Sequence, residues 1–533
     1  MKKTLTALAL SLALTPWGSV VNAEGQTHHE HKPKHTGNHY LNVQLLGVND
    51  FHGQIDVTRK VAGQAVGRAD YLAAYLKQRE TENENTLIVH AGDMVGASTP
   101  SSALLQDEPT VEIMNEIGFD VGTLGNHEFD EGVDELKRLI YGGSNPKTGY
   151  FEGADFPYVA ANVVDKETKK PILPPYVIKK VKGVKIGFIG VVYSDTPDIV
   201  TPSGTAGVEF TDETEAINKA ANELKHKGVK AMVVLAHNPI DQNGDEVSGE
   251  LVDMANGVDD EIDVMFGGHN HRSANAIVDG KLLVESYSYG TAFSDVDLKI
   301  DRRTKDIVEK KAEIVTTYQN GVTPDANVSA IINKAVEQVA PIINEVVGKA
   351  PVLLSGEGSY NGETVLGNII ADSMTEQTGT DFAFMNPGGI RAVIEPGDVT
   401  WGELFTVQPF GNDLVTMSLT GAQIKTLLES QWSTGEEKIL QISGLKAVYD
   451  MAKPVGERTV SMTKTDGTPI ESGTEYTLTV NNFMAGGGDG YTVLLEGKNQ
   501  TINVTDLDAL VNYFKNREEV TGAVEGRITK INQ

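Results

Sequence analysis

The amino-acid sequence predicts an α/β layered domain joined by a helix to a second, α+β domain. Three observations carry that expectation. At 533 residues the chain exceeds what one hydrophobic core ordinarily serves, so two or three domains are expected. From residue 40 to about 318, short runs of Val, Ile and Leu alternate with helical patterns, as strands covered on both faces do. Residues 325–348 carry apolar side chains at helical spacing, and a new pattern of strands and glycine-rich turns follows from about 350.

In chain order, residues 1–23 have a basic start (Lys2, Lys3), an apolar stretch from Leu5 to about Leu14 and the small-residue ending VVNA. That is the pattern of a signal peptide cleaved after Ala23. Its apolar core is too short to span a membrane. No later segment is long and apolar enough, and the C-terminal EGRITKINQ carries no apolar tail or sorting motif. An exported soluble protein, periplasmic or extracellular, is therefore expected. Residues 24–39, EGQTHHEHKPKHTGNH, hold five histidines in polar sequence and read as a linker, with metal scavenging as the alternative.

The first domain, 40–318, should contain strands at 41–48, 86–92, 119–125, 184–192, 230–237, 262–269 and 281–286, with helices at 67–80 and 211–228. Segment 319–349 is the connecting helix or hinge. Val328, Ile331, Ile332, Ala335, Val336 and Val339 recur at helical spacing, and Pro341 should kink or divide the helix. The second domain, 350–533, has strands in TDFAFMN, GLKAVYD and EYTLTVN.

A net charge of −29 excludes a nucleic-acid polymer as the expected partner, because backbone binding needs clustered Lys and Arg. Small anions remain compatible if the site itself is positive. The chain has no cysteine, so any metal must be held by His, Asp, Asn or Glu.

Seven of the 12 histidines lie outside the linker, and five of these fall at strand ends beside other ligand-type residues. They are His52 in GVNDFHGQ, His127 in GNHEFD, His237 in LAHNP, and His269 and His271 in GGHNH; only His90 and His226 lack such a setting. Asp50 and Asp93 end strands in the same way. The chain must turn for Asp50 and His52 to face one ion, and Gly53 is expected to supply the flexibility, as the glycines of GGHNH are for the other pair. Six or seven N/O ligands exceed the needs of one tetrahedral zinc. They suit two divalent ions roughly 3.5–4 Å apart, bridged by a carboxylate, for which Asp93 is the natural candidate. Zn, Mn or a similar ion would fit a thiol-free set. For TLGNHEFD (123–130), a turn capping a helix that begins near Glu128 stands as the alternative reading.

In the second domain, FMNPGGIRA (384–392) combines Asn386, two glycines and Arg391, which can bind phosphate as a fork. VQPFGND places Phe410 on a turn, and NNFMAGGGDGY places Phe483 six residues before Asp489. Two aromatic rings on glycine-rich loops suit a flat base, although for either Phe alone an aromatic closing a small core is the more common case.

The ordered motifs D-x-H, G-D, G-N-H-E, H and G-H-x-H resemble those of the calcineurin-like metallophosphoesterases. Together with the second domain, the chain from about 40 to 530 is similar to the bacterial and animal 5′-nucleotidases. The resemblance implies a layered metallophosphoesterase sandwich joined to an α+β substrate-binding domain. It implies that Asp50, His52, Asp93 and His271 hold one ion, and that Asp93, Asn126, His237 and His269 hold the other. His127 and Asp130 would be the catalytic pair, Phe410 and Phe483 the base-stacking pair, Asp489 the ribose acceptor, Asn386 a base contact and Arg391 a substrate clamp. The implied activity is that of an exported dimetal 5′-nucleotidase, which hydrolyses nucleoside 5′-monophosphates such as AMP by in-line attack of a metal-bound hydroxide. The alternatives are a 2′,3′-cyclic-nucleotide phosphodiesterase or nucleotide diphospho-sugar hydrolase, and, among non-enzymes, a surface binding protein or adhesin. Two positions depart from the pattern. His271 stands where some relatives have Gln. Tyr360, Asn361 and Gly362 stand where relatives commonly have an Arg ahead of an ETxLGN-like motif.

Overall fold

The computed structural model describes residues 39–356, 362–433, 435 and 437–532. The expected signal peptide, the linker up to residue 38, and Tyr360 and Asn361 lie outside the described residues.

Alternation along the first strand, Tyr40–Val48, shows how the first half is layered. Leu41, Val43 and Leu45 enter a core between two sheets, whereas Leu46 and Val48 face helices on the other side. One six-stranded sheet runs in the order Ile307–Thr316, Ala292–Asp301, Tyr40–Val48, Thr86–His90, Val121–Thr123, Tyr158–Val159. The other runs Tyr176–Val181, Val184–Val192, Ala231–His237, Ile262–Phe266, Lys281–Ser286, Ser273–Val278. Val184, Ile186, Phe188, Val233, Leu235 and Val264 meet the first sheet's side chains in that shared core. Each such side chain contributes roughly 1.5–3 kcal/mol by its burial. The outer faces are covered by helices: Ala69–Glu82 and Glu108–Ile117 on one sheet, Glu213–His226 and Glu250–Gly257 on the other. Strands buried on both faces explain the near-continuous apolar runs.

The central strands are parallel: Tyr40–Val48 beside Thr86–His90, then Val121–Thr123, and in the second sheet Val184–Val192, Ala231–His237, Ile262–Phe266 and Lys281–Ser286. Their carboxyl ends therefore gather along one edge, where ligands bind in open α/β sheets.

The connecting helix, Ala326–Ile343, is capped by Asp325, whose carboxylate accepts from the amides of Asn327 and Val328. Its Val328, Ile332 and Ala335 enter the first half's core. Pro341 does not divide it: the helix runs through the proline and stops at Ile343. A proline removes one N–H and crowds the preceding turn, and here so little helix follows that it ends instead of bending.

The second half is built on a five-stranded sheet in the order Gln441–Ser443, Phe382–Met385, Glu475–Asn481, Asp413–Thr420, Lys498–Thr505. Helices Val365–Thr378 and Asp506–Lys515 cover one face; Ile424, Leu427 and Tyr491 close the other over Phe382, Phe384 and Leu478. Glu363 of the ETVLGN motif is structural in this setting. It is 1% exposed and accepts from Asn368 Nδ2 (2.7 Å) and from the amides of Glu525 (2.7 Å) and Ile528 (3.3 Å), which fastens the C-terminal strand. Among the described residues no helix is long and apolar enough to cross a membrane.

Candidate active site

Every metal-ligand candidate stands where a strand of the first half ends. Asp50 and His52 follow Val48, Asp93 follows His90, Asn126 follows Thr123, His237 closes its own strand, and His269 and His271 follow Phe266. The backbone turns at the ligands themselves. Asp50, His52 and Asp93 all have φ 50, His269 has φ 88 and His271 φ 59. This corrects the expectation that neighbouring glycines do the turning. Gly53 is left-handed too (φ 52), but Gly267 and Gly268 are not. Asp and His enter this region more readily than other non-glycine residues, and each such residue costs on the order of 1–3 kcal/mol that the surrounding packing must hold in place.

Glycine is required for space at Gly125, where a Cβ would overlap Asp93 Oδ1. That close approach lets the His127 amide donate to Asp93 Oδ1 at 2.9 Å. Glu128 then ties the two loops: its carboxylate accepts from the amides of Asp93 (2.9 Å), Met94 (2.8 Å) and Gly125 (2.6 Å). His127–Phe129 is a single 3-10 turn, so the alternative reading, a turn capping a helix that begins near Glu128, does not hold.

The ligand atoms of Asp50, His52 and His271 lie within 4.8 Å of one another, and so do those of Asp93, His237 and His269. The ring nitrogens are prepared for a cation. His52 Nδ1 is 2.9 Å from the Gly96 carbonyl and His237 Nδ1 is 2.9 Å from the Ala91 carbonyl. These bonds make Nδ1 the N–H and turn the Nε2 edge inward, as the backbone partners of metal-bound histidines do. His52 Nε2 and His271 Nε2 face each other at 3.2 Å, and His237 Nε2 lies 3.0 Å from Asp93 Oδ2. His269 Nδ1 is 2.9 Å from Asn126 Oδ1. Burial pushes His269 and His271 down to about 3 and His52 well below its usual range, which keeps these rings neutral as ligands must be. At His237 burial is outweighed by Asp93 and Asp50, which raise it to about 10, a positive charge that a bound cation would replace. Burial opposes ionisation of Asp93, but His237 and His127 outweigh it and hold its carboxyl well below the ordinary range. The donor set therefore fits divalent ions.

His127 sits at the rim. Its Nδ1 is 2.7 Å from Asp130 Oδ2, and its ring packs edge-on against His52 with centroids 4.9 Å apart. Burial disfavours its charged form, yet Asp130 and Asp93 outweigh that and raise it above its usual value. Its ligand atom also lies within 4.8 Å of those of His52 and Asp93.

A cavity of about 220 Å³ opens here, lined from the first half by Asn126, His127, Asp130 and His269. From the second half, the same cavity is lined by Asn386, Arg391, Phe410, Phe483 and Asp489. Phe410 stacks on His127 (5.8 Å, 16° between planes) and lies 5.8 Å from the Arg391 guanidinium carbon. The candidate metal ligands, the His127–Asp130 pair and the five candidate substrate residues are thus brought to this cavity or to the ligand cluster beside it.

Several contributors carried no signal of their own. Asn49 donates to Asp50 Oδ2 at 2.7 Å, and its adjacency to a candidate ligand is the hint that could have found it. Asn481 and Lys438 also line the cavity. Lys438 belongs to no recognisable motif, whereas Asn481 opens the NNFMAGGGDGY stretch, and that place is the signal that could have found it.

Two family models match the chain: calcineurin-like phosphoesterase over residues 43–273, and 5′-nucleotidase, C-terminal domain, over residues 346–496. Endonuclease YhcR of Bacillus subtilis is 48% identical over 500 residues, which cover 92% of this chain and 41% of that protein. Cell wall protein Lmo0130 of Listeria monocytogenes is 36% identical over 539 residues, covering 91% of this chain and 69% of that one. The chain thus spans less than half the length of the first of these relatives and about two thirds of the second. The 5′-nucleotidase precursor from Thermus thermophilus superposes with a TM-score of 0.79 at 29% identity, covering 92% of this chain and 100% of that structure. The first matched segment lies in the half that gathers His and Asp at its strand ends, and the second lies in the half that closes the cavity over them. The chain belongs to the 5′-nucleotidase family of metal-dependent phosphoester hydrolases, with a calcineurin-like phosphoesterase domain and a 5′-nucleotidase C-terminal domain.

Proposed function

We propose that this is an exported dimetal 5′-nucleotidase that hydrolyses nucleoside 5′-monophosphates such as AMP to nucleoside and phosphate. The observation that carries the reading is the shared cavity, in which His127 and Asp130 face Arg391, Phe410, Phe483 and Asp489. In this proposal Asp50, His52, Asp93 and His271 hold one ion and Asp93, Asn126, His237 and His269 the other. Bound there, divalent ions such as zinc or manganese supply Lewis acidity and lower the pKa of a water.

The chain's own residues do the rest. Asp130 fixes the His127 tautomer by taking its Nδ1–H, which leaves Nε2–H free to donate to the phosphoryl group and the leaving 5′-oxygen. The neighbouring carboxylates favour the imidazolium, so His127 offers a positive charge where negative charge develops. Arg391 clamps the phosphate, Phe410 and Phe483 hold the base, Asn386 contacts it, and Asp489 accepts from the ribose. Local cations explain how an acidic chain accepts an anionic substrate.

A second reading, phosphodiester hydrolysis, is favoured by the endonuclease name of the 48%-identical relative, although the chain spans only 41% of that protein. The test is a substrate panel of AMP, 2′,3′-cyclic AMP, UDP-glucose and a single-stranded oligonucleotide, assayed after chelation and after metal add-back. AMP should show the highest kcat/KM, lose it on chelation and regain it with zinc or manganese. A chelated protein that keeps its AMP rate sinks the dimetal reading. Preferential cleavage of the cyclic nucleotide or the oligonucleotide would put the second reading in its place.

A further inference from the structure

We infer that Lys438 is a positioning residue for ribose recognition: its ammonium holds the Asp489 carboxylate so that the free edge of that carboxylate reads the sugar's 2′-hydroxyl. The inference rests on the proposed nucleotide reading of the site and extends it to a residue that belongs to no sequence motif.

Lys438 Nζ donates to Asp489 Oδ1 at 2.7 Å, and both residues line the cavity. The other carboxylate oxygen is held from the opposite side. Asn481 Oδ1 accepts from the Met484 amide (2.8 Å), so Asn481 Nδ2 donates to Asn386 Oδ1 (2.9 Å). Asn386 Nδ2 is thereby turned to donate to Asp489 Oδ2 at 3.1 Å. Asn481 and Asn386 are 0% and 3% exposed, so this chain of amides cannot flip without leaving a buried polar group unpaired. Lys438 is fixed at its main chain as well. Its amide donates to Gln431 O (2.9 Å), and its carbonyl accepts from the buried Tyr491 hydroxyl (3.1 Å).

An ionised carboxylate has about four lone-pair directions. One donor on each oxygen leaves one direction on each toward the cavity, which matches the paired hydroxyl donors of a ribose cis-diol. Asp489 itself stands at φ 56 on its glycine-rich turn. Without the Lys438 ammonium only the Asn386 bond would orient the carboxylate, and its second oxygen could rotate away from the diol. Lys438 acts through Asp489 and need not touch the nucleotide.

The test uses nucleosides, which bind without being turned over. Adenosine and 2′-deoxyadenosine are titrated calorimetrically into the full, metal-loaded chain as wild type, Lys438→Met, Lys438→Arg and Asp489→Asn. Wild type should bind adenosine about tenfold more tightly than the deoxy form, the size of one charge-assisted hydrogen bond. Lys438→Met should bring that ratio to within about twofold by weakening adenosine alone, and Lys438→Arg should restore most of it. Adding Lys438→Met to Asp489→Asn should change the ratio no further. A Lys438→Met protein that keeps the wild-type ratio, or loses equally on both nucleosides, overturns the inference, as does a wild type with no preference. AMP turnover is measured in parallel, with the loss in Lys438→Met expected in KM more than in kcat. An absent turnover with an intact ribose preference would fail the activity reading while leaving this inference standing.

Discussion

The charge on His127 is made by its surroundings. Burial works against protonation, and Asp130 at 2.7 Å together with Asp93 overcomes it. If the imidazole serves charge development and not metal holding, His127→Ala should retain about two ions per chain by elemental analysis while kcat falls on the order of 10²–10⁴-fold. The question is open to a sharp answer because His127 lies within ligand distance of His52 and Asp93; metal loss in the variant would move it into the ligand shell. Asp93→Asn should behave oppositely, lowering metal content and turnover together, since Asp93 is the proposed bridge. Asp50, His52, Asp93, His127, His237, His269 and His271 were legible one by one because His and Asp at strand ends are chemically conspicuous. Lys438 was not. It reaches Asp489 across 51 positions of sequence, and the sequence STGEEKILQ around it has no pattern that announces a partner.

Among the elements, the strands at 184–192 and 281–286 match their expected limits because continuous apolar sequence there coincides with two-sided burial. The run at 119–125 shortens to Val121–Thr123, since Leu124 and Gly125 already belong to the loop that brings Asn126 to the site. Polar hairpins such as Asp241–Asn243 with Glu246–Ser248 offered no apolar signal to read. His90, one of the two histidines outside the ligand pattern, shows what a strand interior does to such a group. It is enclosed by the rings of Phe119, Phe156 and Tyr158, its Nε2 has no hydrogen-bond partner, and burial depresses it to about 3. A folded value below the ordinary 6.5 means that the neutral ring's stabilising effect is complete above pH 6.5. It is lost as pH falls toward 3, by up to about 1.4 kcal/mol per pH unit. In chelated protein, the urea midpoint of His90→Leu should therefore fall less than that of wild type between pH 6.5 and pH 4. Parallel losses would place the acid sensitivity elsewhere.

At the scale of the whole molecule, residues far apart in sequence meet in one cavity, and the division of labour can be measured. Stacking is worth about 1–3 kcal/mol per base, so Phe410→Ala or Phe483→Ala should raise KM for AMP by about tenfold or more. p-Nitrophenyl phosphate, with neither ribose nor purine, should lose much less, and both variants should keep their ions. Equal losses on the two substrates would reduce the rings to fold support. The two-part layout was legible from the change of pattern near residue 350, but the stacking of Phe410 on His127 depends on how the halves pack, which no local pattern encodes. The connecting helix carries a practical consequence for anyone dividing the chain. Besides its apolar face, it is tied to the first half by Asp325 to Lys77 (3.0 Å) and by Ser329 Oγ to Asp70 Oδ2 (2.9 Å). A fragment ending at residue 318 would uncover the helices Ala69–Glu82 and Glu108–Ile117 and should aggregate. One carried to Ile343 keeps that surface closed and should be recovered as a monodisperse, metal-binding protein, so the useful cut for limited proteolysis or recombinant expression lies after the helix, not before it.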